Sequence, residues 1–319
     1  MRIKKVTRLW SKAAHNAFTD LCFYQGNLFC CFREARTHIS EDGTIRILCL
    51  DQCGEILSHG RLHMPNTDLR DPKLTVTPDG KLLLYAYARL KDRQTGKRVS
   101  RNINWFSRTG QSWSSPRFFG APFHWLWRQR FYKGRAYGLA YCATDESLHL
   151  FAGDPRRTFE CEKRDLLGLA THGVGYPNES DIMFDAKGTM IALVRRDADT
   201  GSAKLGIAAP PYQRWQWHDL GTYIGCPVIY PLSDRQAIVV GRDWQRKGPR
   251  TVLYELNIAA RTVGIIDTLP SSGDNSYPGI VSIGDKIWIS YYSSHEDHKS
   301  SIYLASYQRD TLLNLIKYN

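Results

Sequence analysis

Leu74-Thr75-Val76-Thr77-Pro78-Asp79-Gly80-Lys81-Leu82-Leu83-Leu84-Tyr85-Ala86 is the stretch that decides the fold. An apolar run, a turn of Pro, Asp and Gly, and a second apolar run read as strand, tight turn and strand, an antiparallel hairpin. The pattern recurs. Gly26, Gly80, Gly134 and Gly188 stand 54 residues apart each time. They lead Leu28-Phe29-Cys30-Cys31-Phe32, Leu82 to Ala86, Ala136-Tyr137-Gly138-Leu139-Ala140 and Met190-Ile191-Ala192-Leu193-Val194. Asp234 before Ala237 to Val240, and Gly284 before Ile287 to Ser290, continue it at looser spacing. A period of this size marks a repeated supersecondary unit, and six units fit the 319 residues.

After each hairpin the repeat leaves roughly 35 residues, room for two further strands, as a four-stranded propeller blade requires. Ser107 to Trp113 reads as the outer turn of one blade, and no long apolar run has helical spacing. The expected fold is all-β, a six-bladed β-propeller of four-stranded antiparallel blades, with an open solenoid or a sandwich as rivals. No linker or low-complexity break interrupts the repeat, so residues 1–319 are expected to form a single domain.

The eight cysteines form no paired Cys-x-x-Cys cluster and are expected as buried free thiols. Cys30 and Cys31, adjacent in one strand, should face opposite sides. The basic N-terminus, Met1 to Trp10, is followed by no stretch of signal-peptide character, and no segment is long and apolar enough to span a bilayer. A cytoplasmic protein without membrane contact is expected. The net charge of +12 invites a nucleic-acid partner, yet the charges are scattered, and the densest group, Lys91 to Arg101, reads as an exposed loop between blades. A solvated surface without nucleic acid is the preferred reading, with arginine serving an anionic small ligand in the funnel through bidentate hydrogen bonds.

Residues at similar distances before and after a hairpin turn lie side by side, so those far from each glycine gather at the end opposite the turn. Nine before the glycine stand Asp71, Trp125, Glu179 and, in the first unit, Ala17; seven after it stand Arg33, Tyr87, Tyr141 and Arg195. Tyr277 and Tyr291 flank Gly284 by seven on either side, and Arg242 follows Asp234 by eight. Two carboxylates with several arginines and tyrosines on one face point to a polar ligand site. Singly, each is as readily an ion pair between blades or a packed strand tyrosine.

The segments Phe32 to His38, Asp68-Leu69-Arg70-Asp71-Pro72, Pro177 to Asp181 with Arg195-Arg196, Gly241-Arg242-Asp243, Ser276-Tyr277-Pro278-Gly279 and Tyr291 to Glu296 resemble the sialidase (neuraminidase) superfamily. They are most similar to its divergent bacterial branch of BNR-repeat, sialidase-like proteins, over nearly the whole chain and in the family's order. The resemblance implies a six-bladed propeller and an exo-glycoside hydrolase acting on a glycan that ends in an acidic sugar, sialic acid or a relative. It implies Tyr277 as nucleophile and Glu179 as its base, because a neutral phenol suits attack beside a substrate carboxylate. By the same resemblance Arg195 or Arg196, then Arg242 or Arg250, belong to an arginine cluster, and Asp71 lies near the substrate ring.

The pattern also departs from the family. Where its first arginine is expected the chain reads Ala14-His15-Asn16-Ala17-Phe18, and where its acid aspartate is expected it reads Arg36-Thr37-His38-Ile39-Ser40-Glu41-Asp42. His38, Asp68 or Asp71 is left as proton donor, histidine having a suitable unperturbed pKa. Arg33, Arg36, Arg70, Asp68, Trp125, Tyr291 and His295 complete the expected substrate-binding set, with Trp127 and Trp244 as further stacking residues. The spacings of His15, His38, His124, His172 and His295 match no metal-ligand pattern, so neither metal nor cofactor is expected. Asn178-Glu179-Ser180 fits a glycosylation pattern, but the expected role of Glu179 argues against modification. Two other function classes remain: a non-catalytic carbohydrate-binding propeller, suggested by the missing arginine and aspartate, and an acidic-polysaccharide lyase in which Tyr and His abstract a proton beside a uronate.

Overall fold

The computed structural model describes residues 4–91 and 96–317. Each hairpin expected from the sequence is the inner pair of strands of a four-stranded antiparallel sheet, and six such sheets form a six-bladed propeller. In blade 2 the strands are Thr67–Val76, Leu82–Lys91, Arg98–Ser107 and Arg117–Phe119, from the axis outward. Gly26, Gly80, Gly134, Gly188 and Gly284 all sit in the first turn of their blade with φ between +57° and +84°, a region that glycine enters without steric cost. The ring closes in blade 6. There Lys4–Trp10 pairs antiparallel with Ser301–Gln308 as the outermost strand, so the N-terminal strand completes a sheet begun by Ser276–Ile283 and Lys286–Ser293.

The core lies between blades. Six apolar clusters fill the six gaps, because the second strand of each blade is buried on both faces and sends alternate side chains to opposite neighbours. In Asn27–Ala35, Phe29 and Cys31 pack toward blade 2, while Leu28, Cys30 and Phe32 pack toward blade 6. All eight cysteines are free; five are buried, but Cys53 is exposed, outside the expectation of buried thiols. Lys91 and Arg98 pair across a hairpin within blade 2, so that cationic group is not a loop between blades, and its residues 92–95 lie outside the described residues. Among the described residues no helix is long and apolar enough to cross a membrane.

Charged side chains fill the axis below the funnel. Arg128 of blade 3 donates to Asp20 of blade 1 at 2.7 Å, and Arg130 donates to both oxygens of Asp181 in blade 4, at 3.0 and 2.6 Å. Each aspartate also accepts a backbone N–H from the next blade's innermost strand, Leu74 for Asp20 and Ile229 for Asp181, both at 2.8 Å. Burial is thus matched by partners on every side.

One irregularity repeats in all six blades. The innermost strand carries a one-residue β-bulge near its start: the pairing slips between Ala17 and Asp20, Arg70 and Lys73, Leu126 and Gln129, Pro177 and Ser180, Gly225 and Val228, and Ser276 and Gly279. A bulge re-aims the side chains at its apex. Phe18, Asp71, Cys226 and Tyr277 sit there with φ of +63°, +48°, +45° and +47°. Four of the six blades therefore converge on the axis through strained residues, and backbone strain held this way concentrates at functional sites.

Candidate functional site

The bulge residues build the floor of the funnel. Tyr277, from blade 6, donates its hydroxyl to Glu179 Oε1, from blade 4. The other oxygen, Oε2, accepts the Arg195 guanidinium at 2.6 Å and the Cys226 backbone N–H at 2.7 Å. The carboxylate is thus held from one side and presents its free oxygen to the phenol. Burial raises the Tyr277 phenol well above its ordinary value, with the Glu179 charge adding to the effect, so tyrosinate forms only when its proton can pass to an adjacent base. Burial opposes the charge on Arg195, but the oxygens of Glu179 and Tyr277 outweigh it and hold the guanidinium firmly protonated.

Arg242 lies over the Tyr277 ring, 5.4 Å from its centroid, and donates to the Asn275 carbonyl, to Asp274 Oδ1 and to the Tyr292 hydroxyl oxygen. Phe18 packs against Tyr277 at 4.9 Å between ring centroids, and Trp127 lies 6.3 Å away. Asp71, from the blade 2 bulge, is buried with its Oδ1 unpartnered. Burial pushes its carboxyl up and the Glu179 charge adds to this, against the pull of Lys73 and Arg70. Lys73 is itself buried, donates to the Asp71 and Pro72 carbonyls and lies over the Trp127 ring.

Of the residues expected from the sequence, the structure brings together Tyr277, Glu179, Asp71, Arg195 and Arg242. Arg70 and Asp68 join them from blade 2, Arg70 donating to Asp68 at 3.2 Å and to the His38 carbonyl at 2.9 Å. His38 stands on the funnel wall with its ring 5.1 Å from Phe18. Others lie elsewhere. Arg33 and Arg196 occupy matching register positions on the second strands of blades 1 and 4, and both are fully buried. Arg33 holds Asp68 and the Thr37 and Ser40 carbonyls, and Arg196 holds the Gly175 and Ala198 carbonyls and Asp199, so each ties down a loop. The matching position in blade 5 is Arg242, which makes Arg33 the counterpart of Arg196 rather than of Arg195.

Arg36 pairs with Asp42 at the exposed surface, and Arg250 lies on the third strand of blade 5. Tyr291 is fully buried, stacked on Tyr303 with its hydroxyl on the Pro270 carbonyl. His295 leans on Tyr303 as well. Trp125 is half-buried and stacks on Tyr87 at 4.1 Å between ring centroids, with the rings of Trp127 and Tyr141 nearly parallel to it at 5.7 and 6.0 Å. Asn178 is buried and donates to Asp197, which leaves no amide open to a glycan. Lys73, Cys226 and Asp274 were missed. Cys226 and Asp274 carry no sequence signal, except that Cys226-Pro227 repeats the X-Pro of Asp71-Pro72 and Tyr277-Pro278 at the bulge.

Larger clefts exist, one lined by Glu41, Asn66, Arg89 and Arg98 and another by Tyr132, Tyr137, Pro210 and Tyr212. The smaller pocket lined by Lys73, Trp127, Glu179, Cys226 and Tyr277 holds the hydrogen-bonded Tyr277 and Glu179 side chains.

Among solved structures the chain is similar to a protein of unknown function from Dyadobacter fermentans, with a TM-score of 0.80 and 16% identity over 97% of this chain and 100% of that one. It is also similar to the NanB sialidase from Streptococcus pneumoniae, with a TM-score of 0.72 and 13% identity over 98% and 71% of the two chains. A mutant Trypanosoma rangeli sialidase displaying trans-sialidase activity matches with a TM-score of 0.67 and 12% identity over 98% and 60%. The fold is that of a sialidase-like propeller. No protein-family model matches the chain. No curated protein matches it either.

Proposed function

We propose that this sialidase-like propeller is an exo-glycoside hydrolase that uses Tyr277 as nucleophile. The observation that carries the reading is the Tyr277 to Glu179 hydrogen bond, with Glu179 fixed from behind by Arg195 and the Cys226 N–H. Tyr277 Oη attacks the anomeric carbon as its proton passes to Glu179 Oε1. The glycosidic C–O bond breaks, and the leaving oxygen takes a proton from Asp71, whose raised carboxyl suits the acid role. In the second half, water attacks the same carbon and gives its proton to Asp71. The bond to Tyr277 breaks and Glu179 returns the phenolic proton.

The proposed substrate class is a glycan ending in an acidic sugar, whose carboxylate would meet the guanidinium groups of Arg195 and Arg242 on either side of the tyrosine. A second reading, a carbohydrate-binding propeller without turnover, draws on Phe18 at the blade 1 bulge and on the internal carboxylates that already engage both arginines. A screen of aryl glycosides of sialic acid, other nonulosonic acids, uronic acids and neutral sugars separates them. Release of the aryl group that disappears in Tyr277→Phe supports the hydrolase. Calorimetric glycan binding with no product after long incubation supports the binding module, and an unsaturated, ultraviolet-absorbing product from a uronide would turn the assignment to a lyase.

A further inference from the structure

A second cluster of chemistry-bearing side chains lies on the funnel wall beside the Tyr277 pair, and the hydrolase reading does not use it. His15 comes from the start of the innermost strand of blade 1, His38 from the loop between the second and third strands of that blade, and Asp274 from the connection between blades 5 and 6. His15 Nε2 lies 3.3 Å and His38 Nδ1 2.6 Å from the same carboxylate oxygen, Asp274 Oδ2. One ligand atom from each of the three lies within 4.8 Å of the other two.

We propose that His15, His38 and Asp274 form a binding site for a divalent first-row transition ion, with zinc the best fit. Two imidazole nitrogens and one carboxylate oxygen are a ligand set that suits zinc and its neighbours and is poor for calcium or magnesium, which take oxygen ligands. Bonds of about 2.0–2.1 Å at tetrahedral angles place ligand atoms roughly 3.3 Å apart. The His15 to Asp274 separation already has that value. His38 must retreat from Asp274 by several tenths of an ångström, and its half-exposed side chain has the freedom to do so.

The surroundings fit a ligand shell. Asp274 Oδ1 is held by the Tyr292 hydroxyl at 2.6 Å and by Arg242 at 3.2 Å, which orients the carboxylate and leaves Oδ2 to the two histidines. Outer donors of this kind fix a metal-bound carboxylate. His15 is 8% exposed and its Nδ1 has no hydrogen-bond partner, so its side chain makes its one polar engagement within this cluster. His38 and Asp274 both reach solvent in the funnel, which leaves the remaining coordination positions open to water or to an oxygen of a bound ligand. The sequence concealed the set because the third ligand lies 236 residues from His38.

The test uses tag-free, full-length protein stripped with a chelator and dialysed, titrated with zinc chloride by calorimetry and with Co2+ by visible absorption. One equivalent of zinc is expected, with a Co2+ spectrum of four-coordinate character that lacks the near-ultraviolet charge-transfer band of a thiolate ligand. His38→Ala and Asp274→Asn should each weaken binding by at least the ~10- to 100-fold that follows loss of even an outer-shell partner. His38→Ala alters a half-exposed side chain, and an unchanged thermal melt of the stripped variant shows that it folds. No binding by the wild-type chain, or equal affinity in His38→Ala and Asp274→Asn, overturns the proposal. Neither result bears on Tyr277 or Glu179, so the hydrolase reading stands or falls separately.

Discussion

Tyr277 and Glu179 reach each other across the funnel, the phenol of blade 6 donating to the carboxylate of blade 4, while Glu179 is anchored independently by Arg195 and by the Cys226 N–H. Because the anchors do not involve Tyr277, Tyr277→Phe removes one hydroxyl and leaves the carboxylate in place. The expected outcome is a loss of glycoside hydrolysis by about 100-fold or more, since both the nucleophile and its proton transfer vanish. Circular dichroism and the thermal melt should remain near those of the wild type. Undiminished turnover of an aryl glycoside by this variant would remove the tyrosine from the mechanism.

Asp71 sets a pH dependence of known sign. Burial raises its carboxyl above the ordinary value, so the folded protein keeps a proton that the unfolded chain releases. The stability tied to that proton is complete below the unfolded carboxyl's value of about 3.9 and is lost as pH rises through the folded value. Asp71→Asn keeps the neutral shape at every pH. Melting temperatures of the two proteins should therefore diverge in favour of the variant between pH 4 and pH 7, while hydrolysis by the variant falls because no proton is donated. A difference that shrinks with rising pH would contradict the assignment.

How much of this was legible in the sequence follows from turn length. Glycines mark the first turn of five blades and Asp234 that of blade 5, and the runs after them are the doubly buried second strands, so the fold could be read directly from the apolar pattern. The site was read by counting from those glycines, and the count drifts because the turns differ in length. Asp71 and Glu179, nine before their glycines, fall within the bulge, whereas in blade 3 the two-residue turn moves the bulge to Trp127 and Arg128 and leaves Trp125 outside it. On the second strand the count drifts for the same reason: pairing resumes one residue after Gly26 but two after Gly188, which is why the count matched Arg33 with Arg195 where the register matches it with Arg196. Asp274 lies in a connection outside the repeat, where spacing carries no information.

Arg33 separates structural from site arginines. Its guanidinium is fully buried against Asp68 at 2.8 Å and two loop carbonyls, so Arg33→Met strands part of a buried carboxylate's hydrogen bonding. A destabilisation of about 3 kcal/mol is expected from chemical denaturation, Arg70 continuing to hold Asp68. Arg195→Met, at the funnel, is expected to cost less stability, because Asp197 and Glu179 retain other partners, and to impair hydrolysis more. If Arg33→Met unfolds no more readily than Arg195→Met, the division between the two sets is wrong.

The closure of the ring makes the first strand a stability element. Lys4–Trp10 supplies the outer edge of blade 6, and Trp10 is buried, donating its indole N–H to Glu34 Oε1 at 2.7 Å beside Phe32. A chain beginning at Ser11 loses this strand and exposes Ser301–Gln308 as an unpaired edge, which favours association with other chains. Losing a few kcal/mol in a protein of this size should lower the melting temperature by roughly 5–10 °C. Size-exclusion chromatography should show oligomers absent from the intact chain. A synthetic peptide of residues 1–10 added in excess should bind the vacant edge and restore both properties. Trp10→Ala, which keeps the backbone pairing and empties the indole pocket, isolates the packing contribution at about 3–5 kcal/mol. A truncated chain that melts with the intact protein would show that the other three strands hold the blade without the closing one.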